Sequence, residues 1–411
     1  MGNDVWIIGV GMIKFGKFLQ RSIKDMTGQV VDEVLKDCIL TRKDIHAAWF
    51  SNSSWGIYSF QHCIRGQVAL TANGIQGIPV TNVENACASG STALHGAWTA
   101  VKAGIYDLTL AIGVEKLYDE DRAKVMGGFM AGTDVEEMGR VVKRLQEQEV
   151  KENVKDAKAP QEAPGGHSAF MDFYAAGARA HMKRYGSTQK QLAIIAAKNH
   201  NNSTMNPLAQ YTFPQTVEQV LNDRIVAYPL TRAMCAPIGD GAAAAIVCSE
   251  QFLKKHPSNR AIKIRASILE GGTRTGPENI GERAGKRAFE MAGIGPEDVN
   301  VMEVHDATAF GEVSAMESLG FCPRGEGGLI AERGDTALNG KIPVNTSGGL
   351  LSRGHPIGAS GLAQIYELVM QLRGEAGKRQ VSKHRIAMTE NGGGTVGTGE
   401  AAMTTHILEK I

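Results

Sequence analysis

The strongest constraint on this chain is that it repeats itself. Asp44-Ile45 leads into the apolar run Ala47-Ala48-Trp49-Phe50-Ser51, and 254 residues later Asp298-Val299 leads into Val301-Met302-Glu303-Val304-His305. Ile78-Pro79-Val80 opens a strand, a glycine-bearing turn and a helix; Ile342-Pro343-Val344 opens the same series in the second half. Lys263-Ile264-Arg265-Ala266 resembles the opening strand near Val5. Matches that recur in one order predict two copies of one unit. Short β-branched runs alternate with helical patterns, such as Ser22–Asp37 with Val30, Val31, Val34 and Leu35 at helical spacing, so each copy is expected to be α/β. Residues 119–235 do not fit the repeat; they are rich in charge, poor in strand pattern, and read as an insertion. Within them Asp134–Lys158 reads as a solvated helix, with a lid or partner-docking surface as the alternative. The expected division is 1–118 with 236–258 as the first half, 119–235 as an inserted loop domain, and 259–411 as the second half.

Bulk properties exclude several classes of function. The 44 basic and 43 acidic residues are well mixed, which leaves no electrostatic footprint for nucleic acid. No apolar run approaches the ~20 residues a membrane span requires. The opening Met1-Gly2-Asn3-Asp4-Val5-Trp6 has no signal-peptide plan, and the tail His406–Ile411 is no peroxisomal address. Six cysteines are scattered without a CxxC pair, so neither a disulfide framework nor a structural metal site is expected. A reducing cytoplasm fits that usage. Glycine is in excess, with 49 residues that cluster as Gly271-Gly272, Gly348-Gly349 and Gly392-Gly393-Gly394, where tight turns or close approach of backbone to ligand are expected.

Four places carry chemistry. Cys87, in Asn85-Ala86-Cys87-Ala88-Ser89-Gly90, lies between a strand and the helical pattern of Ala93, Leu94, Ala97 and Val101. Small neighbours admit a bulky thioester, and a helix start favours a thiolate; the competing reading is a buried, inert thiol. The equivalent turn in the second half holds His355, fixed by Pro356 and followed by a helix from Leu362. If the halves pack about a pseudo-twofold axis, these turns meet as a thiol–imidazole pair. His305 follows the strand Val301–Val304, where an oxyanion donor or proton carrier is expected, with a histidine that caps the strand as the alternative. Thr389–Thr395 ends a strand that starts near Arg385, and its glycines, Gly392 and Gly394 in particular, are expected to aim N–H groups at a ligand oxygen. No GKS/T or GxGxxG context supports a nucleotide-phosphate loop there.

Together, Asn85-Ala86-Cys87-Ala88-Ser89-Gly90, Gly354-His355-Pro356-x-Gly358-Ala359-Ser360-Gly361 and the 392–394 cluster resemble the three signatures of thiolases, nearly end to end with Gly239–Ala244. His305-Asp306 and the run Ala197–Pro207 resemble the sterol-carrier-protein-type branch with its archaeal and bacterial members. The resemblance implies a duplicated five-layer αβαβα fold with an inserted loop domain. It also implies a homodimer and a ping-pong reaction of 3-oxoacyl-CoA with coenzyme A through acyl-Cys87, with coenzyme A as co-substrate and no permanently bound cofactor. Bacterial members of the branch associate with a small zinc-ribbon/OB-fold subunit, and one such system cleaves benzoylsuccinyl-CoA. The chain departs from the pattern in its acid/base group. The second thiolase cysteine is replaced by Glu390, and the substitute position after His-Asp is Ala307. Proton transfer at the α-carbon therefore falls to Glu390, His305 or water, and Glu390 suits it only if burial raises its pKa. A ketosynthase-like condensing enzyme, using Cys87, His305 and His355, and a non-catalytic acyl-CoA-binding homologue are the alternatives.

Overall fold

The computed structural model describes residues 4–137, 139, 140, 143, 147, 169–273, 279–397 and 399–411. The charged helix expected over Asp134–Lys158 falls largely outside them.

The strands in chain order are β1 (Val5–Met12), β2 (Ala47–Ser51), β3 (Val80–Val83), β4 (Leu108–Glu115), β5 (Ile225–Ala227), β6 (Leu230–Thr231), β7 (Gly241–Ser249), β8 (Ile262–Gly271), β9 (Val301–Glu303), β10 (Ile386–Val396) and β11 (Gly399–Glu409). Among the described residues, nine form one sheet in the order β3-β2-β4-β7-β1-β8-β11-β10-β9, and β5 and β6 pair apart. The order reads as one half followed by its mirror. β1 with β7 and β8 with β11 are antiparallel, as are β4 with β7 and β10 with β11. β2 pairs parallel with β4, as β9 does with β10. Even the outermost pairing recurs: β2 lies parallel to β3, and Met302 bridges in parallel to Val344. The halves join where Trp6 and Ile7 of β1 face Lys263 and Ile262 of β8, so the internal repeat becomes an approximate twofold axis between those strands.

Side-chain alternation explains the layers. On β7, Ala243, Ala245 and Val247 enter one core cluster while Ala242, Ala244, Ile246 and Cys248 enter another. Strands covered on both faces carry apolar residues at every position, as these do. One outer face is closed by helix Ile23–Cys38, which buries Met26, Val30, Val31 and Val34. Its start is set by a capping box between Ser22 and Asp25. Helix Ile280–Ala292 closes the opposite face through Ala284 and Ala288. Between the two half-sheets lie helices Ser89–Lys102 and Ile357–Arg373, which follow the Cys87 and His355 turns, so the layers run helix, sheet, helix pair, sheet, helix. Glycine lets this central pair approach: a Cβ on Gly90 would lie 2.9 Å from the Gly358 carbonyl, and one on Gly361 2.5 Å from the Ser91 nitrogen. The segment between β4 and β7 packs Ala175, Leu192, Ile195 and Ala196 against Leu351, Ala309 and Val313 of the second half.

Among the described residues, no helix is long and apolar enough to cross a membrane.

Candidate active site

After β3 the chain turns sharply. Ala86 has a φ of +47°, in the left-handed region that a residue with a Cβ adopts at a cost. Ser89 holds the bend: its hydroxyl accepts from the Asn85 N–H at 2.8 Å and donates to the Ala86 carbonyl at 2.6 Å. Cys87 sits in the resulting 3-10 turn, Ala86–Ala88, immediately before helix Ser89–Lys102, and is half-buried. The small residues seen in the sequence are required here, since a Cβ on Gly393 would lie 2.2 Å from the Asn85 carbonyl.

His355 arrives from the other half. A π-helical turn, Gly349–Arg353, leads through Gly354 (φ +107°) to His355, and Pro356 caps the next helix, which starts at Ile357 rather than at Leu362. The His355 Nε2 lies 3.2 Å from the Cys87 Sγ. Its Nδ1 lies 2.7 Å from the Ser360 Oγ, which donates its one proton to the Pro356 carbonyl at 3.0 Å. Ser360 can then only accept from Nδ1–H, which leaves the Nε2 lone pair facing the thiol. Burial, with the charges of His305 and Arg353 nearby, holds His355 well below the usual histidine range, so the ring is neutral. A neutral imidazole with a bare nitrogen against a thiol can take its proton.

His305 follows β9 and is 5% exposed, its ring centroid 5.4 Å from that of His355. Burial pulls its pKa down, but Cys87 and Glu400 more than offset this and push it up to about 10. Both ring nitrogens are buried without a hydrogen-bond partner among the described residues. The nearest carboxylate is Glu400 of β11, whose Oε1 is 3.8 Å from Nδ1. Glu390 accepts the His305 backbone N–H at 2.9 Å through Oε2. Burial and the charge of Glu400 raise Glu390 to about 7, His305 offsetting them in part.

The glycine cluster lies in the last part of the strand that starts near Arg385: 392–394 are inside β10, with Gly392 opposite Met403 and Gly393 opposite Ala402 of β11. Gly393 and Gly394 line the cavity, whereas Gly392 faces Glu400, whose Oε1 would be 2.1 Å from an added Cβ.

Cys87, His305, His355 and Glu390 all open on one cavity of 1460 Å³, with Phe129, Phe170, Phe173, Tyr174 and Phe310 on its walls. A Cβ on Gly132 would lie 3.2 Å from the Phe170 ring and 3.6 Å from the Ala86 Cβ, so an aromatic ring stands close to the Cys87 turn. Ligand atoms of Cys87, His305 and His355 lie within 4.8 Å of one another, a set that a soft metal ion could use. A protonated His305 is a poor ligand for such an ion. Sequence reasoning missed Ser360, Tyr174 and Glu400. Ser360 stands one turn after His355 and could have been suspected from that spacing; Glu400 reaches the site through a hairpin that the sequence does not mark.

This geometry defines a cysteine–histidine site built from two copies of one unit. Residues 5–217 match the thiolase N-terminal domain and residues 275–410 the thiolase C-terminal domain-like model. The chain belongs to the thiolase family of enzymes. It is 40% identical to the acetyl-CoA acetyltransferase of Methanothermobacter thermautotrophicus, over 99% of this chain and 100% of that one. It is 34% identical to bovine sterol carrier protein 2, over 98% of this chain and 72% of that one. Against the benzoylsuccinyl-CoA thiolase subunit BbsB of Thauera aromatica it is 35% identical, over 95% of each. Among solved structures, the Ltp2-ChsH2(DUF35) aldolase superposes with a TM-score of 0.75 at 19% identity, covering 99% of this chain and 97% of that one. The Acat5 thiolase from Ascaris suum in complex with coenzyme A superposes at 0.65 with 16% identity, over 99% and 100%.

Proposed function

We propose that the protein cleaves or forms a 3-oxoacyl-CoA with coenzyme A through an acyl-Cys87 intermediate. The observation that carries this reading is the 3.2 Å contact of Cys87 Sγ with a His355 Nε2 whose other nitrogen is committed to Ser360. In the cleaving direction, His355 takes the thiol proton as Cys87 attacks the 3-keto carbon. The oxyanion is held by the His305 imidazolium, whose N–H groups have no competing partner among the described residues. The C2–C3 bond then breaks, its electron pair goes to the α-carbon, and Glu390 supplies the proton there. Glu390, now a carboxylate, takes the proton of the coenzyme A thiol as its sulfur attacks acyl-Cys87, whose carbonyl oxygen lies toward the N–H groups of Cys87 and the 392–394 backbone; Cys87 then leaves as a thiol with the proton returned by His355.

The aromatic wall beside Ala86 supports a bulky aromatic acyl group such as benzoylsuccinyl, in line with the Thauera relative. The reading also includes the division at 118/119, 235/236 and 258/259, a homodimer in the cytoplasm, a small zinc-ribbon/OB-fold partner, and coenzyme A as co-substrate with no permanently held cofactor. Incubation with candidate 3-oxoacyl-CoA thioesters, acid quench and intact mass measurement test it. An acyl adduct is expected on the wild type and none on Cys87→Ser. Tight coenzyme A binding without any adduct would favour the non-catalytic alternative.

A further inference from the structure

Glu400 is a charged group beside His305 that the acyl-transfer scheme leaves without a task. It lies on β11 just past the hairpin that joins β10, and its side chain keeps 29% exposure on the cavity wall. Two independent features aim it. The first is Gly392, which provides the room: with any Cβ at that position the Glu400 carboxylate, 2.1 Å away, would have to move. The second is His305, whose Nδ1 is 3.8 Å from Oε1, at ion-pair distance but beyond a hydrogen bond. The groups that face the His305 ring are Cys87 from the nucleophile turn, His355 from the turn before helix Ile357–Arg373, and Glu400 from β11. Glu390 on β10 meets the His305 backbone, and Tyr174 of helix Ala169–Tyr185 closes the cavity opposite. A buried imidazolium needs a counter-ion that persists when Cys87 becomes a neutral thioester. Glu400 meets that requirement; Glu390, raised to about 7, is partly protonated at neutral pH.

We infer that Glu400 is a positioning residue of this site: laid over Gly392, it is the standing counter-charge that keeps His305 a cation throughout the reaction. Gly392 is then a space-maker for that carboxylate. The purpose assigned to the cation, oxyanion stabilisation, rests on the acyl-transfer reading; the pairing does not. It also completes the substitution for the absent second cysteine, because a cationic His305 frees Glu390 to carry the exchangeable proton.

The test is a pH titration of the His305 ring by NMR in full-length, histidine-labelled protein, with the His305 signal assigned through His305→Asn. Glu400→Gln and Gly392→Ala are each expected to lower the His305 midpoint by about one pH unit or more, as loss of an adjacent charge does, while Glu400→Asp retains most of it. Gly392→Ala carries the argument should Glu400→Gln disturb folding, since it moves only the tip of a flexible side chain. Where the wild type forms the acyl adduct, the alkaline limb of its pH–acylation profile is expected to move down with the midpoint. An unchanged His305 midpoint in both Glu400→Gln and Gly392→Ala would overturn the inference. Because the titration needs no substrate, an absent adduct beside a shifted midpoint would count against the acyl-transfer reading and leave the pairing in place.

Discussion

At the scale of single residues, the site is a set of proton positions. Ser360 fixes one of them, because its hydroxyl proton is spent on Pro356 and His355 must donate Nδ1–H. Ser360→Ala removes that acceptor and allows either tautomer. Cys87 acylation is expected to slow by about 10–100-fold, as when the partner that orients a reactive histidine is lost, while stability falls by only about 1 kcal/mol. Quench-flow mass measurement and denaturant unfolding separate the two effects. Glu390 fixes another position. Its pKa of about 7 exceeds the ordinary carboxylate value of 4.5, and it must be ionised to take an α-proton. Solvent-deuterium exchange into the acyl-CoA α-carbon is therefore expected to rise as pH increases through about 7, and Glu390→Gln should abolish that inflection without matching its effect on acylation. The same shift has a sign for stability. Between pH 4.5 and about 7 the native state holds a proton that the unfolded chain has released, so Glu390 lowers stability as pH rises through that window, and Glu390→Gln flattens the slope.

At the scale of elements, the His355 turn depends on a buried ion pair. Arg353 and Glu303 are both fully buried, with Nη1 3.0 Å from Oε2. Glu303 also accepts the Ser347 N–H at 2.9 Å and its hydroxyl at 2.6 Å, which ties β9 to the start of the π-helical turn. Removing one partner of such a pair leaves a buried charge and costs about 3–5 kcal/mol. Arg353→Met is expected to destabilise by that amount in urea unfolding, and Glu303→Gln on top of it to restore a substantial part; simple addition of the two losses would count against the pairing. None of this was legible in the sequence, where Glu303 read as part of an apolar strand and Arg353 as a turn residue. The partner of the glycine run was likewise not legible: in-register pairing of β10 with β11 holds the three glycines in a strand. That tertiary pairing also delivers Glu400 to His305. The Cys87 and His355 turns were legible because each is a local strand-to-helix junction whose small residues and proline act on the chain nearby.

At the scale of the molecule, the duplication makes the site. Weak matches 254 and 264 residues apart marked it in the sequence, and they correspond to pairings that recur on both sides of the β1–β8 junction. What the sequence could not supply is how closely the halves approach. Gly113 of β4 in the first half lies under helix Ile357–Arg373 of the second, and a Cβ there would be 2.1 Å from the Gly358 carbonyl and 3.0 Å from the Ala359 Cα. Both obstacles are backbone, so Gly113→Ala must displace the helix that begins two residues after His355. Overpacking of this kind costs about 1–3 kcal/mol, and here it is expected also to lengthen the contact between Cys87 and His355. Gly285→Ala is the control, because its Cβ would meet a Leu319 methyl at 2.8 Å on the outer face, remote from the axis. Both variants are expected to lose stability in denaturant unfolding, but only Gly113→Ala should slow iodoacetamide alkylation of Cys87 at neutral pH, by about tenfold, since the rate follows the thiolate that the imidazole generates. Equal alkylation rates in the two variants would mean that the Cys87–His355 distance is set locally by each turn, and that the contact between the halves does not govern it.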